Sequence, residues 1–267
     1  MHCAAIAFDL DDTLLRDDRT VSDYTCSVLR RASRCGIHII PASGRARSSM
    51  HAVVERLGCA SCYIACNGAE IWSPDHRLLA RETMAVPLAR EVARFGEEHD
   101  CYSQTYRDDC FYYSRKGPYA ESYASTSLLR GVYVGDLEAY IREPVAKILM
   151  MDTAERIAML LSLARERFAD RLSVSCSKPY FLEFNPLRAT KGNALRRSSE
   201  LLGFDMESAV AFGDSLNDLS MLQEAGTGVA MANAREDVRA LIAEHCRSNE
   251  EDGVARYVEE RLLHGMD

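Results

Sequence analysis

Apolar and polar positions follow two periods along this chain. Ala4 to Phe8 is a short continuous apolar run that predicts a buried strand ending at Asp9. Val21 to Cys35 carries helical spacing, with Ser22 as the expected N-cap and Gly36 as the stop. Ile37 to Ile40 predicts a second buried strand. Arg45 to Leu57, with Met50, Val53, Val54 and Leu57 on one face, predicts a second helix. Cys62 to Cys66 predicts a third strand, closed by the turn pair Asn67-Gly68. This alternation of strand and helix argues for a parallel sheet flanked by helices.

The pattern then changes. From Glu82 to Pro186 the sequence predicts a helix through Leu88, Val92 and Phe95, and aromatic-rich strands near Cys110 to Ser114 and Val132 to Val134. A strand over Val145 to Met151 follows, then an amphipathic helix over Thr153 to Phe168, then strands at Leu172 to Ser175 and Phe181 to Phe184. This segment reads as an inserted α+β domain. The parallel pattern resumes with a helix over Lys191 to Leu202, a strand over Ala209 to Phe212 and a helix over Asn217 to Ala225. A strand over Gly228 to Met231 and helices near Glu236 to Ile242 and Gly253 to Leu263 complete it. The expected fold class is therefore α/β, with domain boundaries 1–81 and 187–267 for the core and 82–186 for the insert.

Charge narrows the partners. A net charge of −8 repels phosphate backbones and argues against nucleic acid. No apolar run has membrane-spanning length, and the N-terminus has no basic stretch ahead of Asp9, so a cytoplasmic location is expected. The ten cysteines are then expected to be free thiols packed as small hydrophobes. Cys59-Ala60-Ser61-Cys62 has zinc or redox spacing, but no second half-site completes a tetrahedron.

Asp9-Leu10-Asp11-Asp12-Thr13 leaves the first strand at the end where ligands bind in parallel sheets. Three acids in four positions repel one another unless a hard cation is held. A calcium loop would need Gly and Glu where Leu14 and Thr20 stand. The residues instead fit a phosphoryl-transfer site. Asp9 would be the nucleophile and Asp11 the acid and then the base. The Leu10 backbone N–H would meet a phosphate oxygen, and Thr13 would pin the turn. Gly213-Asp214-Ser215-Leu216-Asn217-Asp218 is a second acidic cluster at a strand end, and Mg²⁺ shared by Asp9 and Asp214 would neutralise nucleophile and phosphate together. Ser43 and Gly44 open a helix where an anion is favoured. Lys191, followed by Gly192, would balance Asp9 and grip the transferring group.

In the order DLDDT, ASGR, K-G and GDSLND, these elements resemble the haloacid dehalogenase superfamily of aspartate-based phosphatases. More narrowly, they resemble its Cof-type branch (class IIB, with a C2-type cap). Ile64 to Ile71, Leu182-Glu183-Phe184, Gly213 to Met231 and Ser248 to Ala255 carry the resemblance further. It implies a Rossmann-like core whose cap selects the leaving group, with Asp9, Asp214 and the Asp11 carbonyl holding Mg²⁺. It implies that Asn217 joins Leu10, Ser43, Gly44 and Lys191 in binding phosphate, and that Asp218 supports the metal ligands from behind. Small sugar phosphates, pyridoxal 5′-phosphate and flavin mononucleotide are the substrate types this branch implies. Arg45 and, in the insert, Arg107, Tyr112, Tyr113, Arg115, Lys116 and Tyr180 are the candidate selectors.

Two alternatives stay open at this point. A phosphomutase on the same scaffold would return the phosphoryl group to substrate. A non-catalytic phosphate-binding or signalling protein would need neither Asp11 nor an insert of this size.

Overall fold

The computed structural model describes residues 3–107, 110–127 and 129–264. In chain order its elements are β1 (Ala5–Asp9), α1 (Asp23–Arg34), β2 (His38–Ala42), α2 (Arg47–Leu57), β3 (Tyr63–Ala65), β4 (Glu70–Trp72) and β5 (Leu78–Arg81). Next come α3 (Val86–Glu98), β6 (Tyr102–Arg107), β7 (Cys110–Tyr113), α4 (Pro118–Ser127), β8 (Arg130–Tyr133), α5 (Leu137–Tyr140), β9 (Ile148–Met151), α6 (Ala154–Phe168), β10 (Leu172–Ser175) and β11 (Phe181–Pro186). The chain ends with α7 (Lys191–Leu202), β12 (Ala209–Gly213), α8 (Leu219–Glu224), β13 (Thr227–Ala230), α9 (Glu236–Leu241), β14 (Glu244–His245) and α10 (Gly253–Tyr257). Two compact units result: residues 1–45, 50–80 and 190–267 form one, and 46–49 with 81–189 form the other.

The first unit is an α/β fold on an eight-stranded sheet of order β14-β13-β12-β1-β2-β3-β4-β5. Strands β1, β2, β3, β12, β13 and β14 run parallel, and β4 turns back antiparallel to β3. β1 lies centrally and is wholly buried, which is why its five residues read as one apolar run rather than an alternation. Register pairs Phe8 with Phe212 and Asp9 with Ala42, so the loops after β1, β2 and β12 leave the same edge side by side.

Helix α1 begins where the sequence places its cap: the Ser22 Oγ accepts from the Thr25 N–H at 3.0 Å. The same hydroxyl donates to Asp252 at 2.7 Å, tying the helix start to the last loop of the unit. The turn pair Asn67-Gly68 does close β3, but the hairpin β4–β5 that follows has no counterpart in the sequence pattern. Its strands are three and four residues long, too short for a period to register.

The second unit holds a six-stranded mixed sheet of order β10-β11-β9-β6-β7-β8, antiparallel except for β7 with β8. Ile148, Met150, Leu182 and Phe184 on one face pack with Val92 and Phe95 of α3 and with Ile157, Leu160, Ala164 and Phe168 of α6. The other face presents Tyr102, Phe111, Leu149 and Met151 to Ala120, Tyr119 and Tyr123 of α4. β6 leaves no apolar signature in the sequence because its inner residues are polar. Gln104 is fully buried yet satisfied, accepting from the Tyr102 hydroxyl at 2.7 Å and donating to the Tyr106 hydroxyl at 2.8 Å. α4 leaves none because it buries only Ala120 and has no apolar stripe.

Because the Ser22 hydroxyl serves both cap and inter-loop bond, Ser22→Ala is expected to destabilise the protein by about 1–2 kcal/mol, read as a lowered urea midpoint at unchanged slope.

Candidate active site

The loop after β1 is a single wide turn, Leu10–Leu14, closed by the Leu15 N–H on the Leu10 carbonyl at 2.8 Å. Asp12 takes the left-handed conformation (φ 58°), which an acidic residue tolerates better than a branched one. Leu10 and Thr13 are buried, so the turn points its apolar residues inward and leaves Asp11 and Asp12 exposed. Several side chains fix the turn from outside. Asn233 Nδ2 donates to the Asp12 carbonyl at 2.7 Å, and Asn249 Nδ2 donates to the Leu15 carbonyl at 3.0 Å. Arg16 pairs with Asp252 at 2.8 Å. The Ser248 to Ala255 stretch thus braces the first loop from the opposite end of the chain.

Asp9 is nearly buried, at 6% exposure, and receives a short hydrogen bond from Lys191. Lys191 is fully buried and also donates to Asp218 at 2.6 Å. Lys191 begins α7, whose cap is the Thr190 hydroxyl accepting from the Asn193 N–H. Gly192 follows because α7 and α8 meet there: a Cβ at that position would lie 2.6 Å from the Ser220 carbonyl oxygen. Thr13 Oγ1 donates to Asp214 at 2.9 Å, joining the loops after β1 and β12.

One carboxylate oxygen from each of Asp9, Asp214 and Asp218 lies within 4.8 Å of the others, a spacing that suits oxygens around one hard divalent cation. The oxygens of Asp218 are already engaged. One accepts from Lys191, the other from the Asp214 and Ser215 backbone N–H groups at 3.0 Å each. Asp9 and Asp214 therefore have the better-placed lone pairs, and Asp218 shapes the loop that holds Asp214. The sequence motif gives Asp218 only that supporting place and no sign that its carboxylate stands within metal-binding range.

Charge in this cluster is unbalanced. Burial pushes the Asp9 carboxyl well above the usual range. Lys191 pulls it down, and Asp218 and Asp214 push it up again. Burial and then the nearby Asp218 push Asp214 up to about 7, against the Thr13 hydrogen bond. Burial opposes the charge on Lys191, but Asp218 and Asp9 outweigh it and hold it protonated. One ammonium among three carboxylates leaves the site short of positive charge, which a divalent cation would supply.

Ser43, 1% exposed, has its hydroxyl oxygen accepting from the Arg45 N–H at 3.2 Å, so its own proton stays free to be directed elsewhere. Gly44 sits beside it, in the loop that precedes the opening of α2 at Arg47. Asn217 Nδ2 donates to Asn67 Oδ1 at 3.0 Å, a partner that nothing in the sequence pattern assigns. Arg45 grips Asp11 with both arms of its guanidinium, Nε to Oδ2 at 2.8 Å and Nη2 to Oδ1 at 2.5 Å. Such a fork holds a carboxylate in one orientation.

The other candidate selectors lie in the second unit, in three separate settings. Tyr112 stacks on Tyr140 at 4.8 Å, with the Arg107 guanidinium over both rings. Arg115 lines a hollow of about 330 Å³ with Lys116 and Arg156, and is already paired with Asp100 and with Glu97 at 3.2 Å. Tyr180 is exposed and meets Phe181 edge-on. Lys116 lies over the Tyr133 ring, which also meets Tyr113. All ten cysteines are free thiols, and burial pushes both Cys59 and Cys62 up to about 11, far from thiolate reactivity at neutral pH. Among the described residues no helix is long and apolar enough to cross a membrane.

The sequence model of the haloacid dehalogenase-like hydrolases matches residues 6–258. Phosphatase YwpJ of Bacillus subtilis is 31% identical, with 96% of this chain and 99% of that protein covered. The 5-amino-6-(5-phospho-D-ribitylamino)uracil phosphatase YcsE of the same organism is 30% identical over 97% of this chain and 95% of its own length. The crystal structure of TM0651 from Thermotoga maritima superposes with a TM-score of 0.86 at 31% identity, covering 97% of each chain.

The raised Asp214 carboxyl fixes a sign. Between about pH 4 and pH 7 the folded protein holds a proton that the unfolded chain releases, so this group lowers metal-free stability as pH rises through that window. A cation must displace that proton. The rise in Tm caused by millimolar divalent cation is therefore expected to be larger near pH 8 than near pH 5.5, read by thermal melts with and without metal.

Proposed function

The chain belongs to the haloacid dehalogenase-like hydrolases and is a phosphoric monoester hydrolase; from that premise we propose that Asp9 carries the reaction, with Asp11 as its proton carrier. The observation that supports this most is the meeting of Asp9, Asp214 and Lys191 at the ends of β1, β12 and the start of α7. No segment of the sequence contains all three, and a solvated acidic turn would not bury a lysine among them.

In the proposed reaction an Asp9 carboxylate oxygen attacks phosphorus, and the bond to the ester oxygen breaks. Asp11 gives its proton to the departing alkoxide, so the alcohol leaves neutral. An aspartyl phosphate remains on Asp9. Asp11, now ionised, takes a proton from water as that water attacks the same phosphorus. The acyl phosphate bond breaks, inorganic phosphate departs, and Asp9 is restored as carboxylate. Lys191 stays charged throughout and faces the growing negative charge. The Leu10 and Gly44 backbone N–H groups, the Ser43 hydroxyl and the Asn217 amide are assigned to the phosphoryl oxygens. Mg²⁺, held by Asp9, Asp214 and the Asp11 carbonyl, would supply Lewis-acid neutralisation of the phosphate charge. Asp11 has to loosen its fork with Arg45 to reach a leaving group, which gives Arg45 a share in timing as well as in substrate contact.

The second unit is assigned the role of a cap that selects the leaving group. The substrate is a small phosphorylated metabolite. The curated relatives above include one named for a ribitylaminouracil phosphate, which favours phosphorylated polyols and cofactor precursors among the first compounds to test. The free thiols agree with a reducing compartment such as the cytoplasm.

Asp9→Asn is expected to abolish phosphate release from a panel of phosphorylated metabolites. Asp11→Asn is expected to lose at least about 10²-fold in kcat. Full activity in either variant refutes the role given to that residue. EDTA is expected to silence the enzyme and added Mg²⁺ to restore it. Activity untouched by EDTA refutes the metal assignment.

A further inference from the structure

Between β3 and β4 the chain passes through three consecutive residues in the left-handed region: Cys66 at φ 52°, Asn67 at 56° and Gly68 at 102°. Two of the three carry side chains, so their surroundings must hold them there, and such outliers point to function. The surroundings are the phosphate loops. The Cys66 N–H donates to the Arg45 carbonyl at 2.9 Å, and the Asn67 N–H donates to the Ser43 carbonyl at 3.0 Å. Gly68 lies so close to α7 that a Cβ on it would stand 2.2 Å from the Thr190 carbonyl oxygen, one residue before Lys191. The Asn67 side chain, 8% exposed, reaches the third loop and accepts from Asn217 Nδ2 at 3.0 Å.

Asn217 is thereby held at both ends, because its Oδ1 accepts from the Ser215 hydroxyl at 2.5 Å. An amide has two faces of opposite polarity. With Asn67 accepting from Nδ2, the second N–H of that nitrogen is the group left to meet an anion. Without Asn67 the amide can turn over and present its oxygen, which repels phosphate.

We propose that Asn67 is a positioning residue of the phosphate site, one that fixes the polarity of the Asn217 amide and sets the spacing of the Ser43, Lys191 and Asn217 loops. The inference rests on Asn217 being a phosphate donor, as assigned above.

Asn67→Gly tests it, since glycine accepts the left-handed backbone and removes the side chain that bonds Asn217. KM for a phosphomonoester and Ki for inorganic phosphate are expected to rise together by about tenfold, with kcat within about threefold of the unaltered enzyme and Tm little changed. In an Asn217→Ala background the same substitution is expected to add less than about twofold, because the group it positions is gone. Unchanged constants in Asn67→Gly, or full additivity with Asn217→Ala, overturn the proposal. Should Asn67→Gly yield no folded protein, Ser215→Ala releases the other end of the same amide and decides. A rise in both constants at retained kcat supports the proposal, and no rise overturns it. Failure of the unaltered protein to hydrolyse any phosphomonoester overturns the functional reading and this one together. An active protein indifferent to Asn67→Gly overturns this one alone.

Discussion

A fully buried ammonium standing between two buried carboxylates is the interaction on which the core is organised. Lys191 is at 0% exposure, and its charge survives there only because Asp9 and Asp218 face it. Removing both acids would strand that charge out of water. Removing the lysine would leave three acids in mutual repulsion. Lys147 offers a comparison. It is also buried and paired with Glu183 at 2.6 Å, but that pair is balanced one to one. The excess of negative charge around Lys191 is what separates this cluster from the Lys147–Glu183 pair.

That cluster exists because the sheet sets three loops side by side. β1 lies between β2 and β12 in parallel register, so Asp9, Ser43 and Asp214 leave the same edge from adjacent strands. Position alone would not hold loops of this polarity. Thr13 joins the first acidic loop to the second, Asn233 and Asn249 hold the first from behind, and Asn67 joins the Ser43 loop to the second. Each of these bonds spans elements distant in sequence, so the site is rigid only when the whole unit is folded.

The sheet and most helices are legible in the amino-acid pattern. β1, β2, α1, α6 and α7 bury apolar stripes or runs of five to fifteen residues, and burial of that kind leaves a period in the sequence. The α+β class of the insert is legible for the same reason. Elements that bury polar residues, or too few residues, leave no such mark. β6 hides Gln104 behind two tyrosine hydroxyls. α4 buries a single alanine. The β4–β5 hairpin has strands of three and four residues, too short to repeat a period clearly. The residue types of the chemistry are legible too. Acids crowded after one buried strand and again after a later one repel each other strongly, and a shared cation would make that crowding tolerable.

Sequence by itself therefore determined the strand–helix alternation, the place of Asp9 at a strand end and the crowding of acids there, since these depend on local composition and on which residues can be buried. Tertiary structure decided who meets whom. That Asp218 meets Lys191, that Arg45 holds Asp11, and that Asn67 bonds Asn217 are facts of long-range geometry. A hydrogen bond between residues some 30 to 150 positions apart has no period, composition or spacing to announce it. It exists only once hydrophobic burial has brought the strands into register.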